Sequence, residues 1–317
     1  MSTIRFTILA ALALASGACT LSEVTIPASE ELVVVEAVLR TDVDVQTIVL
    51  HRSLDGRDVR GVAGALVTVT PEGGAPVRFA ETGTACYRYS PSYFEDEPGT
   101  VAASCYESPR GLREWVRPGT VYRLRVETQD GRTIQGRTRV PGAFRLTGFP
   151  YTTRMDQRQG AQCRLPPNTA LTMAWTQSDS AWSYLIPMRA YNLRSILNGA
   201  GQQVDIPDPL ELVGLAISQQ DTTIVLPTEF GLFDRFDTDN DALKAIQSGF
   251  PAGVVVEVNV AAADRNYVNG VRGGRFNPSG PVRISSVVGD GVGVFGSLVP
   301  LYTRAEVAAQ GPVPVCR

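Results

Sequence analysis

The chain has 317 residues, 44% hydrophobic and 19% charged, with a net charge of −3. That composition belongs to a globular protein and excludes an intrinsically disordered one. With that slight acidic balance, no broad basic field points to nucleic acid. Lys244 is the only lysine, so arginine carries nearly all of the positive charge.

The first element is a leader. Arg5 precedes the apolar run Phe6 to Ala15, and the small residues Ser16, Gly17 and Ala18 lead into Cys19. This is the layout of a secretory signal peptide, too short to span a bilayer. Two cleavage modes fit. Ordinary signal peptidase would cut after Ala18. Alternatively, the small residues before Cys19 resemble a bacterial lipobox, with Ser16 where leucine usually stands. The cysteine count favours the second mode. Of five cysteines, a lipid-bearing Cys19 leaves Cys86, Cys105, Cys163 and Cys316, an even set that an exported chain can pair. Three pairings are possible. The local one joins Cys86 to Cys105 and leaves Cys163 with Cys316. The predicted organisation is a signal peptide over 1–18, a lipidated tether over 19–29, an N-terminal domain over 30–141 and a C-terminal domain over 142–317.

Strands follow in order. Glu31–Arg40 and Val45–Ser53 are rich in β-branched residues, and Gly64–Gly74 alternates before a glycine turn. Ala85–Ser90 is short and aromatic. In Thr120–Val140, Tyr122, Leu124 and Val126 alternate with Arg123, Arg125 and Glu127 ahead of Asp130-Gly131, a hairpin signal. These strands predict an antiparallel β-sandwich, Ig-like or transthyretin-like, ending at Pro141. The second half predicts a further β-rich domain with strands in "NTALTMAWTQ", "SAWSYLIPMRAYN", "DTTIVLP", "AGVVVEVNVAA" and "PVRISSVVGDGVGVFGSLVPLY". The stretch after Asp208 fits helix or strand. Short helices are expected in "TDNDALKAIQSGF" and "ADRNYVNGVRGG".

Motifs for chemistry are few. His51 is the single histidine, without a nucleophile elbow, and reads as a strand residue on a polar face. One histidine and paired cysteines leave little for a zinc site. "DTDND" (Asp237–Asp241) begins like a calcium loop, but Ala242 and Ser248 stand where glycine and glutamate are required, and a helix cap explains the acids. Gly291, Gly293 and Gly296 have dinucleotide-loop spacing without the following helix, so close backbone approach in a sheet is the reading. No catalytic, cofactor-binding or metal residue is assigned. Tyr87, Tyr89, Tyr93 and Trp115 cluster around the Cys86–Cys105 loop as a binding surface or as core packing.

Taken in order, the acylable cysteine, "ELVVVEAVLRTDVDVQTIVLHRS", "VAGALVTVTPEGG", "PGTVYRLRVETQDGRTIQGRTRVP" and "FNPSGPVRISSVVGDGVGVFGS" resemble the DUF4249 family of bacterial envelope lipoproteins. The resemblance implies a non-enzymatic lipoprotein held at the outer membrane by its N-terminal lipid. It also implies an accessory or binding role beside a TonB-dependent transporter or another envelope protein. The alternatives are an envelope hydrolase acting on glycans or peptides and a structural, adhesion-type module.

Overall fold

The computed structural model describes residues 31–53, 60–87, 98–112, 114–154, 157, 160–216, 218–232, 240–272 and 284–317. Up to the mid-chain Pro141 the strands are β1 (Leu32–Arg40), β2 (Thr47–Ser53), β3 (Arg60–Gly61), β4 (Leu66–Pro71), β5 (Val77–Tyr87), β6 (Pro98–Glu107), β7 (Val121–Glu127) and β8 (Thr133–Arg139). Then come β9 (Leu146–Thr147), β10 (Cys163–Leu165), β11 (Leu171–Trp175), β12 (Ser183–Tyr191), helix α1 (Leu193–Gly199), β13 (Leu210–Ala216), β14 (Thr223–Leu226) and β15 (Gly231–Leu232). Helix α2 (Asn240–Ile246), β16 (Val255–Ala263), helix α3 (Arg265–Arg272), β17 (Val287–Gly289) and β18 (Gly291–Val307) complete the chain. The fold is mainly β, as the alternating patterns predict.

A 15-stranded sheet follows the order β15-β13-β12-β16-β18-β1-β2-β6-β5-β4-β7-β8-β17, with β10 beside β18 and β3 beside β2. A three-stranded sheet, β14-β11-β9, lies apart from it. Neighbours from β1 through β8 pair antiparallel, whereas β1 and β10 run parallel to β18. The strand path leaves β18 through β1 and returns on β17, and Asp290 alone separates β17 from β18 in sequence. The strands of the first half therefore form a ring that the C-terminal strands close. Pro141, where the sequence marks a boundary, is buried inside the compact unit Leu32–Arg317.

Period-two alternation turns one side of each strand inward. Val33, Val35, Ala37 and Leu39 of β1, Val67 and Val69 of β4, Tyr122, Leu124 and Val126 of β7, and Ile134 of β8 are buried together. The same core continues through Met173, Trp175, Tyr184, Ile186, Met188, Val256 and Val258. Tyr106 donates to Val62 O and accepts from Ala65 N, and Tyr122 donates to Trp115 O, so the hydroxyls of these core tyrosines are satisfied. Strands β12 and β16 are buried on both faces, which explains their nearly continuous apolar sequence.

The stretch after Asp208 is a strand, β13, and the two expected helices are α2 and α3; the acids Asp237 and Asp239 before α2 lie outside the described residues. Helix α1 was not signalled above, although Leu193, Ile196 and Leu197 have helical spacing and Leu193 and Leu197 are buried. A disulfide joins Cys163 to Cys316 across 153 residues. Closing a loop of that size stabilises by roughly 5 kcal/mol on the chain-entropy account. Cys105 is also disulfide-bonded. The side chain of Cys86 lies outside the described residues, as do Cys19 and the whole segment 1–30.

Strand β18 spans 17 residues and changes neighbours along its length. Gly291–Leu298 pairs with β1, and Leu298–Glu306 pairs with β16. Its glycines are demanded by contact. A Cβ on Gly293, which has φ 137, would lie 2.0 Å from Val35 O; one on Gly291 would lie 2.6 Å from Val33 O. Gly296 meets the Tyr267 backbone at 2.8 Å in the same way. The G-x-G-x-x-G spacing is thus a strand seam. Gly293→Ala is expected to destabilise the protein by roughly 3 kcal/mol, from strain at positive φ plus the clash with β1. Urea denaturation measures this; an unchanged midpoint would contradict the seam.

Candidate functional site

Four strands that read as apolar each carry one charged residue at the same level of the sheet. Arg189 of β12 lies opposite Glu211 of β13 and opposite Glu257 of β16, and Glu257 lies opposite Arg304 of β18. Directly opposed residues share a face. Glu211, Arg189, Glu257 and Arg304 therefore form one row of alternating sign across four strands. Arg189 Nε donates to Glu211 Oε1 at 3.0 Å, and Arg304 Nη1 donates to Glu257 Oε1 at 3.0 Å. Tyr191 donates to Glu257 Oε2 at 2.9 Å, while the Arg304 guanidinium lies 5.8 Å from the Tyr191 ring centre. Burial, and then the Glu257 charge, raise the Tyr191 pKa, so the phenol stays protonated and keeps donating. Arg189 and Glu257 are buried, whereas the Arg304 and Glu211 side chains are 34% and 32% exposed. The row is buried at its middle and open at its ends.

Asn259 is two residues beyond Glu257 on the same face, opposite Tyr302. It is fully buried, and neither its Oδ1 nor its Nδ2 has a hydrogen-bond partner. Pro187 is the β12 residue at the matching level and has no N–H to offer. A buried amide without partners costs about 1–3 kcal/mol. Next to it, Tyr302 donates to Asp42 Oδ2 at 2.7 Å and accepts from Arg40 Nη2 at 3.0 Å. Arg40 also contacts Asp42 with two nitrogens, giving a buried fork-to-fork pair. Gln46 closes this corner by bonding both the N–H and the carbonyl of Arg40.

Asp264 sits at the point where β16 stops. Its backbone N–H donates to Ser297 O at 3.1 Å, and its Oδ1 accepts from Ser297 N at 3.0 Å, extending the ladder by a side chain. The same Oδ1 accepts from Tyr267 N at 2.9 Å and so caps α3. Oδ2 accepts from Thr138 Oγ1 at 2.6 Å. One carboxyl group thereby ties β8, β16, β18 and α3. Burial raises its pKa to about 6 against the opposing pull of these donors. Its role is positional.

Among the residues singled out from sequence, Trp115 is half-buried, packed edge-on to Tyr122 at 5.3 Å and tilted on Phe79 at 6.2 Å. Tyr89 and Tyr93, and the side chain of Tyr87, lie outside the described residues. His51 is on the face turned away from the core, with Nε2 3.4 Å from Glu36 Oε1. The polar row was missed, yet it has a signal: single charges inside the apolar runs "LELV", "PMRAY", "VEVNV" and "LYTRA". Among the described residues, no group of three or more His, Cys, Asp or Glu is placed to hold a metal ion. No described helix is long and apolar enough to cross a membrane.

A family described as a domain of unknown function, DUF4249, matches residues 21–298 of this chain. No curated protein matches it.

The Asp264 pKa has a stability consequence of known sign. A carboxyl raised in the folded state from 3.8 to about 6 contributes most below about pH 4 and loses that contribution as pH rises through 6. The loss amounts to about 3 kcal/mol. Asp264→Asn keeps the Oδ1 contacts and cannot ionise. Urea denaturation should show the variant gaining on the wild type between pH 4 and pH 7; a constant difference would contradict the assignment.

Proposed function

This chain belongs to the DUF4249 family, and from that premise we propose that it is a non-enzymatic accessory or binding lipoprotein of a bacterial envelope transport system, anchored in the outer membrane through Cys19. The observation that carries the binding reading is the polar row, whose ends at Glu211 and Arg304 are open to solvent. Both carboxylates of the row are engaged by guanidinium groups. That arrangement suits recognition of a hydrogen-bonding ligand, whereas glycan hydrolysis uses one carboxyl as acid and another as base or nucleophile. At the open ends of the row, the Glu211 carboxylate can accept from a ligand and the Arg304 guanidinium can donate to one. The leader and the cysteine count support the anchor, since a diacylated cysteine holds a protein stably to a bilayer.

Two measurements test the reading. Labelled palmitate is expected to enter the wild type and not Cys19→Ala; equal labelling of the two removes the anchor. Affinity purification from detergent-solubilised envelope is expected to recover a TonB-dependent transporter. Glu211→Gln, at the open end of the row, is expected to change stability by only about 1 kcal/mol while reducing that recovery. A variant that stays folded and recovers the transporter fully contradicts a binding role for the row.

A further inference from the structure

The ring of strands has a second outward face, on β5, β4, β7, β8 and β17, and its charge does not match the chain as a whole. Register places Arg78, Thr68, Arg125, Gln135 and Val288 in one row across these strands. Arg123 and Arg137 lie opposite each other in the next row, and Arg139 follows on β8. All five arginines are exposed. Among the described residues, two carboxylates oppose them: Glu127, bonded to Arg125, and Glu72, 3.7 Å from Arg123. Arg78 and Arg137 make no ion pair with any described residue. This local excess of positive charge stands in a protein whose net charge is −3.

Stability does not account for the pattern. Like charges directly across an antiparallel pair repel, and Arg123 and Arg137 occupy such a pair. A glutamate at either position would hold the sheet better. The spacers are Thr68, Thr70 and Gln135, which add hydrogen-bond donors. Val288, 68% exposed, and Leu66, 38% exposed, stand at the margins of the same face. Guanidinium forks match phosphate oxygens, and a strand face presents them on a broad surface. Isolated exposed aliphatic side chains suit the headgroup layer of a bilayer.

We propose that this face docks on the phosphate-bearing headgroups of a lipid surface and supplies the second attachment of an anchored protein. The proposal deepens the reading of the chain as a membrane-held lipoprotein and rests on it only for the anchor. Cys19 is 13 residues before Leu32, a reach of up to about 45 Å when extended.

The test uses the full chain carrying Cys19→Ser, so that acylation plays no part and failure of the anchor leaves this result unaffected. Vesicles of phosphatidylcholine alone are compared with equimolar phosphatidylcholine and phosphatidylglycerol in a sedimentation assay. Preferential binding to the anionic vesicles is expected, and it should fall steeply at about 1 M salt, where the Debye length is about 3 Å. The triple variant Arg78→Gln, Arg123→Gln, Arg137→Gln should bind roughly 100-fold more weakly. Arg137→Glu gives Arg123 an opposite charge and should raise Tm by about 1–2 °C while weakening binding, so the loss is not one of folding. Equal binding to both vesicle types, a triple variant that binds like its parent, or binding to neither vesicle overturns the proposal; the last outcome would direct the face to an acidic protein.

Discussion

The structure depends on one strand having two partners. β18 pairs with β1 up to Leu298 and with β16 from Leu298 onward. The first pairing is parallel and joins residues more than 250 positions apart in the chain, so it carries a high closure cost. It persists because glycines at 291 and 293 let the β1 backbone approach and because Val33, Val35 and Phe295 are buried once it does. At the handover, the free edge of β18 would leave Ser297 N–H unpaired beside the end of β16. Asp264 accepts that N–H with its side chain, and the chain can then turn away into α3. The carboxyl group, the helix cap and the change of partner are a single solution to one hydrogen-bonding problem.

That constraint explains how faces are distributed. Closing the first-half strands with β17 and β18 buries one side of β1, β4, β7 and β8 and turns Arg123, Arg125 and Arg137 outward. The continuation of β18 beside β16 brings Arg304 level with Glu257. A shift of one residue in that register would turn the charge of β18 to the opposite face. The polar row and the basic face thus both follow from how β18 is held.

Local pattern was legible in the sequence where alternation was strong. β7 and β8 with their Asp130-Gly131 turn, β4 before its glycines, and β16 were all readable from period two or from continuous apolar residues. β6 was not, because "PGTVAASCYE" has small residues where the pattern needs large ones. The helix α1 was hidden by a strand run that continues into it without a conventional cap; Asn192 makes the break in a left-handed conformation. Ring closure was invisible because it joins the first strand to the last, and composition carries no information on such pairings. The glycines of β18 did signal close approach, without naming what approaches. For the site, each charge in an apolar strand was visible singly, whereas their alignment required the register. Asp264 looked like an ordinary residue before a helix, and its burial could only come from the packing of β8 against β18.

The central claim is that β18 makes the strands on both sides of Pro141 one cooperative unit. Pulsed hydrogen exchange across a urea gradient tests it directly. Amides of Tyr122–Val126 in β7 and of Leu185–Ala190 in β12 are expected to lose protection at the same urea concentration. Loss of protection in one set while the other remains closed would contradict the claim and divide the chain into two independent domains.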